Sequence, residues 1–196
     1  MEFGSLRKVA ATSAAEVCAK FEASKEAQAL LAPGMNPAAF LAAIAEHGLW
    51  SDALRFLAFA LPKREGVWWA CLAARSSLPS DAPPGMAACI DAAEQWVFRP
   101  SDESRRATFP LAEAIGMDSP AAYAGLAAYW SGGSLAPVGM PEVPPNPALC
   151  PTAVAAAVLL SAVLREPHKA EGKYKALLAS GVDIASGGNG SGRKSL

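Results

Sequence analysis

The sequence predicts an all-α protein, and three observations lead to that class. Every apolar run longer than about ten residues follows the helical period. Hydrophobic residues make up 52% of the 196 residues and charged residues 18%, so the chain can bury a core. Its many alanines favour helices whose axes approach closely. We expect one all-helical domain over residues 6–185, made of stacked helical hairpins with about eight or nine helices. Residues 1–5 are interpreted as a cloning scar and 186–196 as a flexible tail.

Capping and breaking residues divide the first part of the chain into helices. Two short apolar stripes begin at Ser13 and stop at Pro33-Gly34. Asn36-Pro37 then supplies an N-cap oxygen and a pre-set first turn, and Gly48 ends that helix. The next helix, 50–61, has large apolar residues on two opposite faces, so we expect it to lie between neighbours.

Two adjacent tryptophans fall in the following helix. Trp68, Cys71 and Leu72 share one stripe, whereas Trp69 is about 100° away on its shoulder. We therefore expect Trp68 to be buried and Trp69 to be the more accessible of the two. The segment 79–85 breaks the chain, and another amphipathic helix follows it.

The helix after that break has a clear start and an unusual interior. Ser101 is its expected N-cap, with Asp102-Glu103 in the first turn where the helix dipole favours carboxylates. Pro110 has no amide hydrogen, and its ring crowds the carbonyl of Arg106. We expect the helix to kink or split there and to end at Gly116.

The last third contains a capped helix, a long connection and two final helices. Asp118-Ser119-Pro120 caps a helix with a single apolar stripe that ends at Trp130. From 132 to 151 the chain is rich in proline and lacks periodicity, which predicts an extended connection before the last two helices. We expect the final helix to end at Gly181.

A weak internal repeat of the sequence, which we call the internal echo, occurs at three of these expected helix ends. Residues 45–51 and 113–119 share a glycine, an apolar residue and a serine, and 179–183 partly repeats them. The spacing suits a helical repeat of about two hairpins. The alternative is that glycine C-caps recur without any repeat.

Charge and cysteine usage indicate the compartment and exclude some partners. The net charge is -1 and the isoelectric point about 6.1, so no broad basic field is present for nucleic acid or an anionic membrane. The longest uncharged apolar run, 152–164, is shorter than the roughly 20 residues of a membrane span. The four cysteines lack CxxC spacing, which favours buried free thiols. With no secretory signal visible, we expect a cytoplasmic protein.

No pattern for catalysis, metal or cofactor binding is present. The two histidines, His47 and His168, lie near expected helix ends, and neither belongs to an HExxH motif. The run Ser131-Gly132-Gly133-Ser134 has glycines that can expose amides to an anion. It follows a helix rather than a strand, so a glycine C-cap is the better interpretation. We expect no catalytic residues, no metal and no cofactor.

A protein-binding surface is the remaining candidate, because tryptophan and arginine most often carry interface energy. The predicted partner-binding residues are Trp69, Arg105, Arg106, Trp130, Ser131, Gly132, Gly133 and Ser134.

Four short sequence segments resemble those of an uncharacterised bacterial family of unknown function. They are ALRFLA (53–58), VWWAC (67–71), AAEQWV (92–97) and WSGGSLAP (130–137), and the resemblance extends from Leu6 to Ala185. It implies an association with type VI secretion, and therefore an accessory, adaptor or chaperone-like role. It brings no catalytic residues.

The residues therefore favour a protein–protein interaction module that is not an enzyme, and the resemblance implies that it belongs to a bacterial secretion system. One alternative is a small-molecule binder or enzyme whose site lies near the Ser131–Ser134 loop. Another is an immunity protein that blocks a toxin. The expected partner is another protein, with no nucleic acid and no membrane span, and the oligomeric state is left open.

Overall fold

The computed structural model describes residues 3–191, which contain ten α-helices and one short 3-10 helix but no strand. The predicted all-α class is confirmed. The helices are α1 (Ala14–Cys18), α2 (Lys25–Ala29), α3 (Pro37–Glu46), α4 (Trp50–Ala60), α5 (Lys63–Ser77), α6 (Pro84–Phe98), α7 (Asp102–Ala114), α8 (Pro120–Tyr129), α9 (Leu149–Val163) and α10 (Ala170–Ala185), with the 3-10 helix at Pro167–Lys169.

These helices divide into two compact units. Within the described residues, the terminal unit comprises 3–62 and 166–191, and the central unit comprises 63–165. The single domain expected over 6–185 stays a prediction.

In the terminal unit, α4 packs against α3 and α10, and α1 packs against α3 and α4. Aromatic contacts fill this core. The rings of Phe40 and Phe56 meet edge to face at 5.0 Å. As predicted, Asn36 caps α3, accepting a hydrogen bond from the backbone of Ala39 at 2.9 Å, and Gly48 follows the helix with φ of +71°. Backbone N–H of Lys8 donates to the carbonyl of Ala185 at 2.8 Å, which joins the two chain segments of this unit.

The end of the terminal unit differs from the prediction. Gly181 is buried inside α10, which continues to Ala185, so the predicted helix end is wrong. The third member of the internal echo is therefore not a helix end. Beyond α10, backbone N–H of Gly190 donates to Oδ2 of Asp183 at 2.8 Å, so the chain folds back on the helix. The predicted tail residues 192–196, like residues 1 and 2 of the predicted scar, lie outside the described residues.

In the central unit, α8 packs against α5, α6, α7 and α9. Eight of its ten residues are buried, so the expected single stripe is wrong. Most of the buried residues are alanine, and short side chains allow neighbouring helices to approach α8 on several sides. A Cβ added to Gly125 would lie 2.6 Å from Sγ of Cys89 on α6.

The two tryptophans of α5 are placed in the opposite way to the prediction. Trp69 is fully buried, with 0% of its surface exposed, and Trp68 is half-buried. Trp68 contacts the exposed ring of Phe98 edge to face at 5.5 Å. The physical reason is that α5 packs against α6, α8 and α9, so more than one of its faces is covered.

Helix α7 runs without interruption through Pro110, so the chain does not split there, and the kink expected as the alternative stays a prediction. Its start agrees with the sequence, because Ser101 is the N-cap and its side chain accepts a hydrogen bond from the backbone of Ser104 at 3.0 Å. Pro110 is exposed. Pro110 has no N–H, so one helical hydrogen bond is missing here. Because this side of the helix is exposed, water can reach the place of that missing donor.

Candidate functional site

The first turn of α7 holds the end of α8 through a buried arginine. Arg105 is only 3% exposed. Its Nη1 donates to the carbonyl of Tyr129 at 2.7 Å, and its Nη2 donates to the carbonyl of Ser134 at 2.8 Å. The guanidinium also lies over the Tyr129 ring, 5.2 Å from its centroid. Carbonyls in the last turn of a helix lack helical donors and carry partial negative charge, so a cation there is stabilising.

Arg106 and Lys63 hold two further carbonyls of the same segment. Nη1 of Arg106 donates to the carbonyl of Ala136 at 2.8 Å. Nζ of Lys63, at the start of α5, donates to the carbonyl of Ser131 at 2.7 Å. Three cationic side chains thus bind four carbonyls of this segment, which are those of Tyr129, Ser131, Ser134 and Ala136.

Asp102 forms ion pairs with both arginines. Its Oδ1 accepts from Nη2 of Arg105 at 2.6 Å, and its Oδ2 accepts from Nε of Arg106 at 2.6 Å. These hydrogen bonds, that of Arg106 first and that of Arg105 second, lower the pKa of the Asp102 carboxyl below its ordinary value. We call Asp102, Arg105 and Arg106 the arginine clamp.

Gly133 fits closely against the clamp. Its φ is +64°, and an added Cβ would lie 2.9 Å from Nε and Nη2 of Arg105 and from Oδ1 of Asp102. Both the backbone conformation and the lack of space require glycine here. A Cβ added to the neighbouring Gly132 would have no heavy atom within 4 Å.

Ser134 closes a loop beyond the clamp. Its hydroxyl oxygen accepts from the backbone N–H of Ala136 at 3.1 Å and from that of Val143 at 2.9 Å. The carbonyl of Val143 in turn accepts from the backbone N–H of Leu135 at 2.8 Å. These contacts define the 134–143 loop, in which Ser134 organises the backbone.

The predicted partner-binding residues have three different placements. Trp69 and Arg105 are buried, so the prediction that they offer a contact surface is wrong. Trp69 belongs to the core of α5, and Arg105 is used to bind carbonyls. Arg106 is half-buried and Gly133 is exposed; the remaining half-buried members are Trp130, Ser131, Gly132 and Ser134. The structure brings Arg105 and Arg106 together with the 131–136 segment through their hydrogen bonds to its carbonyls.

Three exposed apolar residues of the 134–143 loop were not among the partner-binding residues predicted from the sequence. Val138 is 84% exposed, Met140 60% and Val143 52%. We call them the loop patch. The available signal was that these residues stand between prolines and glycine in a segment without periodicity, where no helix can bury them.

The central unit also contains an open cavity of about 230 Å³. Its lining is mainly apolar, with the polar exceptions Ser77, Ser119 and Arg165, and no clamp residue takes part. The hydroxyl of Ser77 is hydrogen-bonded to that of Ser161 at 3.2 Å, and the hydroxyl oxygen of Ser119 caps α8. Both serines therefore have structural contacts.

Other candidate chemical groups have local structural roles. His47 lies at the end of α3, with Nδ1 2.8 Å from the carbonyl of Ala43. Cys71, Cys89 and Cys150 are buried and free, as predicted, whereas Cys18 is half-buried. Burial raises the pKa of Cys89 to about 11 and that of Cys150 to about 12, which keeps both thiols protonated. No group of three or more metal-binding side chains occurs within 3–191.

Over the same described range, no single helix has both the length and the apolar composition needed to cross a membrane. One consecutive pair, Leu149–Val163 with Pro167–Ala185, meets that test only when its members are taken together.

Comparison with known proteins gives one finding. No curated protein and no solved structure matches the chain. A family model matches residues 40–185, which include the whole central unit with its arginine clamp and 134–143 loop. The match begins after the first two helices, later than the resemblance from Leu6 had suggested. Because it covers more than half of the sequence, the chain belongs to the family of unknown function DUF6931.

Proposed function

We propose that this chain is a protein–protein interaction module that binds its partner through the loop patch. The observation that carries the proposal is the combination of exposed apolar side chains with a backbone fixed by charged groups. Val138, Met140 and Val143 extend from a loop in which the arginine clamp binds the carbonyls of Ser134 and Ala136, and Ser134 binds the amide of Val143.

Such a loop suits binding because it loses little conformational freedom when a partner docks. Ordering a flexible loop opposes association, so a loop that is already fixed keeps more of its contact energy. Val138, Met140 and Val143 are exposed apolar side chains of one short loop, which makes this loop a candidate interaction surface. The buried Arg105 contributes by holding the loop rather than by touching the partner.

The biological setting we propose is that of an accessory, adaptor or chaperone-like protein of a bacterial type VI secretion system, acting in the cytoplasm. The family resemblance of the four short segments 53–58, 67–71, 92–97 and 130–137 supports this setting. An immunity protein would use the same kind of surface, and the identity of the bound protein, toxin or secretion component, separates the two.

A ligand-binding role is the second candidate, and the cavity of about 230 Å³ is the observation that favours it. Its apolar lining suits a small apolar molecule. It is distinct from the Ser131–Ser134 segment, where the sequence had placed the alternative site.

The test of the interaction module is a pull-down from a lysate of the organism that encodes the protein. The bait is either the wild type or the triple variant Val138→Ser, Met140→Ser and Val143→Ser. Met117→Ser is the matched control, because Met117 is also an exposed methionine of the central unit, at 41%.

We expect wild type and Met117→Ser to recover the same partner and the triple variant to lose it, with equal melting temperatures for all three baits. Recovery of that partner by a folded triple variant would contradict the proposal.

A further inference from the structure

We propose that the partner binds the segment that leaves the 134–143 loop as a polyproline-type ligand, in a groove lined by aromatic side chains. The inference rests on the proposed function, and it names the class of surface that the partner presents. The segment concerned is 140–147, with the sequence MPEVPPNP, which we call the proline segment.

The sequence restricts the backbone of the proline segment almost completely. Pro141, Pro144 and Pro145 have φ fixed near the polyproline value. A residue that precedes proline is confined to extended or polyproline conformations, which applies to Met140, Val143 and also Pro144 itself. None of the peptide bonds of the described residues is cis, and residues 141–146 form neither helix nor turn. Of residues 140–145, only Glu142 escapes these restrictions.

The structure exposes this segment on a fixed support. Residues 137–144 are exposed, while Pro145 is buried and anchors the segment to the central unit. Val143 provides a second anchor, since its N–H donates to Oγ of Ser134 and its carbonyl accepts from Leu135. Both backbone groups of Val143 are therefore used within the protein. A partner must recognise the segment mainly through proline rings and side chains.

Proline rings at this spacing match a known mode of recognition. A polyproline helix has three residues per turn and rises about 3.1 Å per residue, so Pro141 and Pro144 fall on one face about 9 Å apart. Two rings in that arrangement fit between aromatic side chains of a shallow groove, and the preformed backbone lowers the entropic cost of binding. The exposed carboxylate of Glu142, between the two prolines, calls for a basic side chain at the edge of that groove.

The experiment uses the full chain and the partner recovered in the pull-down above, once that partner has been purified. Dissociation constants are measured for the wild type, for the double variant Pro141→Ala and Pro144→Ala, and for Pro137→Ala. The last is the matched control, because Pro137 is an exposed proline of the same connection that lies outside the proline segment. Circular dichroism and melting temperature establish that each variant is folded.

We expect the double variant to bind at least about tenfold more weakly, and Pro137→Ala to bind like the wild type. A free peptide of residues 138–147 should displace the full chain from the partner, whereas the same peptide with both alanines should not. Wild-type affinity of the folded double variant would overturn the inference. The proposed function would still stand if the serine triple variant had lost the partner.

Glu142→Lys provides a second variant that leaves every proline in place. We expect it to weaken binding about tenfold at low ionic strength and less at high ionic strength, because the attraction is between exposed charges. Unchanged binding of Glu142→Lys at low ionic strength would show that the partner has no basic side chain opposite Glu142. Failure of the wild type to recover any partner would overturn both this inference and the proposed function.

Discussion

Gly133 is the residue on which the arginine clamp depends most directly. Gly133→Ala places a Cβ 2.9 Å from the Arg105 guanidinium and from Asp102, at a φ of +64°. We expect a loss of about 1 to 3 kcal/mol in the free energy of unfolding, measured by urea denaturation. Gly132→Ala is the control, because its Cβ meets open space, and it should change stability by less than about 0.5 kcal/mol. Equal effects of the two substitutions would show that the clamp tolerates displacement.

Trp69, also at the residue scale, contributes to folding rather than to binding. Trp69→Ala removes a fully buried indole from α5 and should cost about 3 to 5 kcal/mol, through lost burial and the cavity left behind. Trp68→Ala should cost about 1 to 2 kcal/mol, because Trp68 is only half-buried, and the substitution removes its ring contact with Phe98. Denaturation midpoints of the two variants measure this difference. A larger loss for Trp68→Ala than for Trp69→Ala would contradict this prediction. It would support the sequence-based expectation that Trp68, on one stripe with Leu72, is the more deeply buried tryptophan.

At the scale of single elements, helix α8 depends on small residues. Gly125→Ala would force a Cβ to within 2.6 Å of Sγ of Cys89 and 3.4 Å of Cβ of Ala112. We expect α6 and α7 to move away from α8, at a cost of about 1 to 3 kcal/mol. Gly172→Ala is the comparison, since Gly172 is an exposed helical glycine of α10 with open space around it. It should stabilise the protein by up to about 1 kcal/mol. Thermal unfolding should show a lower melting temperature for Gly125→Ala and an unchanged or higher one for Gly172→Ala.

The elements also show what a sequence can and cannot predict. Asn36 and Ser101 were correctly identified as N-caps, and the run Asp118-Ser119-Pro120 was correctly placed at the start of α8, because capping depends on a side chain and amides only three residues away. The burial of Trp69 and of nearly all of α8 was not predicted. Periodicity shows where apolar residues lie on a helix, but the number of neighbouring helices decides how many faces are covered. Arg105 and residues 131–134 were all predicted as partner-binding residues, but the role of Arg105 depends on carbonyls distant in sequence, which no local pattern reveals.

At the scale of the whole molecule, the two units differ in how the chain builds them. The central unit is one continuous segment, whereas the terminal unit joins 3–62 to 166–191. In the terminal unit Lys8 bonds to Ala185, and Nζ of Lys175 lies 5.4 Å from the ring centre of Trp50. A continuous segment of about 100 residues can bury a core of its own. A unit made of two segments needs both of them present.

We therefore expect a fragment of residues 63–165 to fold alone into a helical protein that keeps the arginine clamp. Its helices α5–α9 retain their buried contacts around α8, so it should unfold cooperatively in urea, as monitored by circular dichroism. A fragment of residues 3–62 is the control. It lacks α10, whose Leu178 and Ile184 are only 1% exposed, and it should show no cooperative transition. A gradual, non-cooperative unfolding of 63–165 would mean that the central unit needs the terminal segments to hold its core.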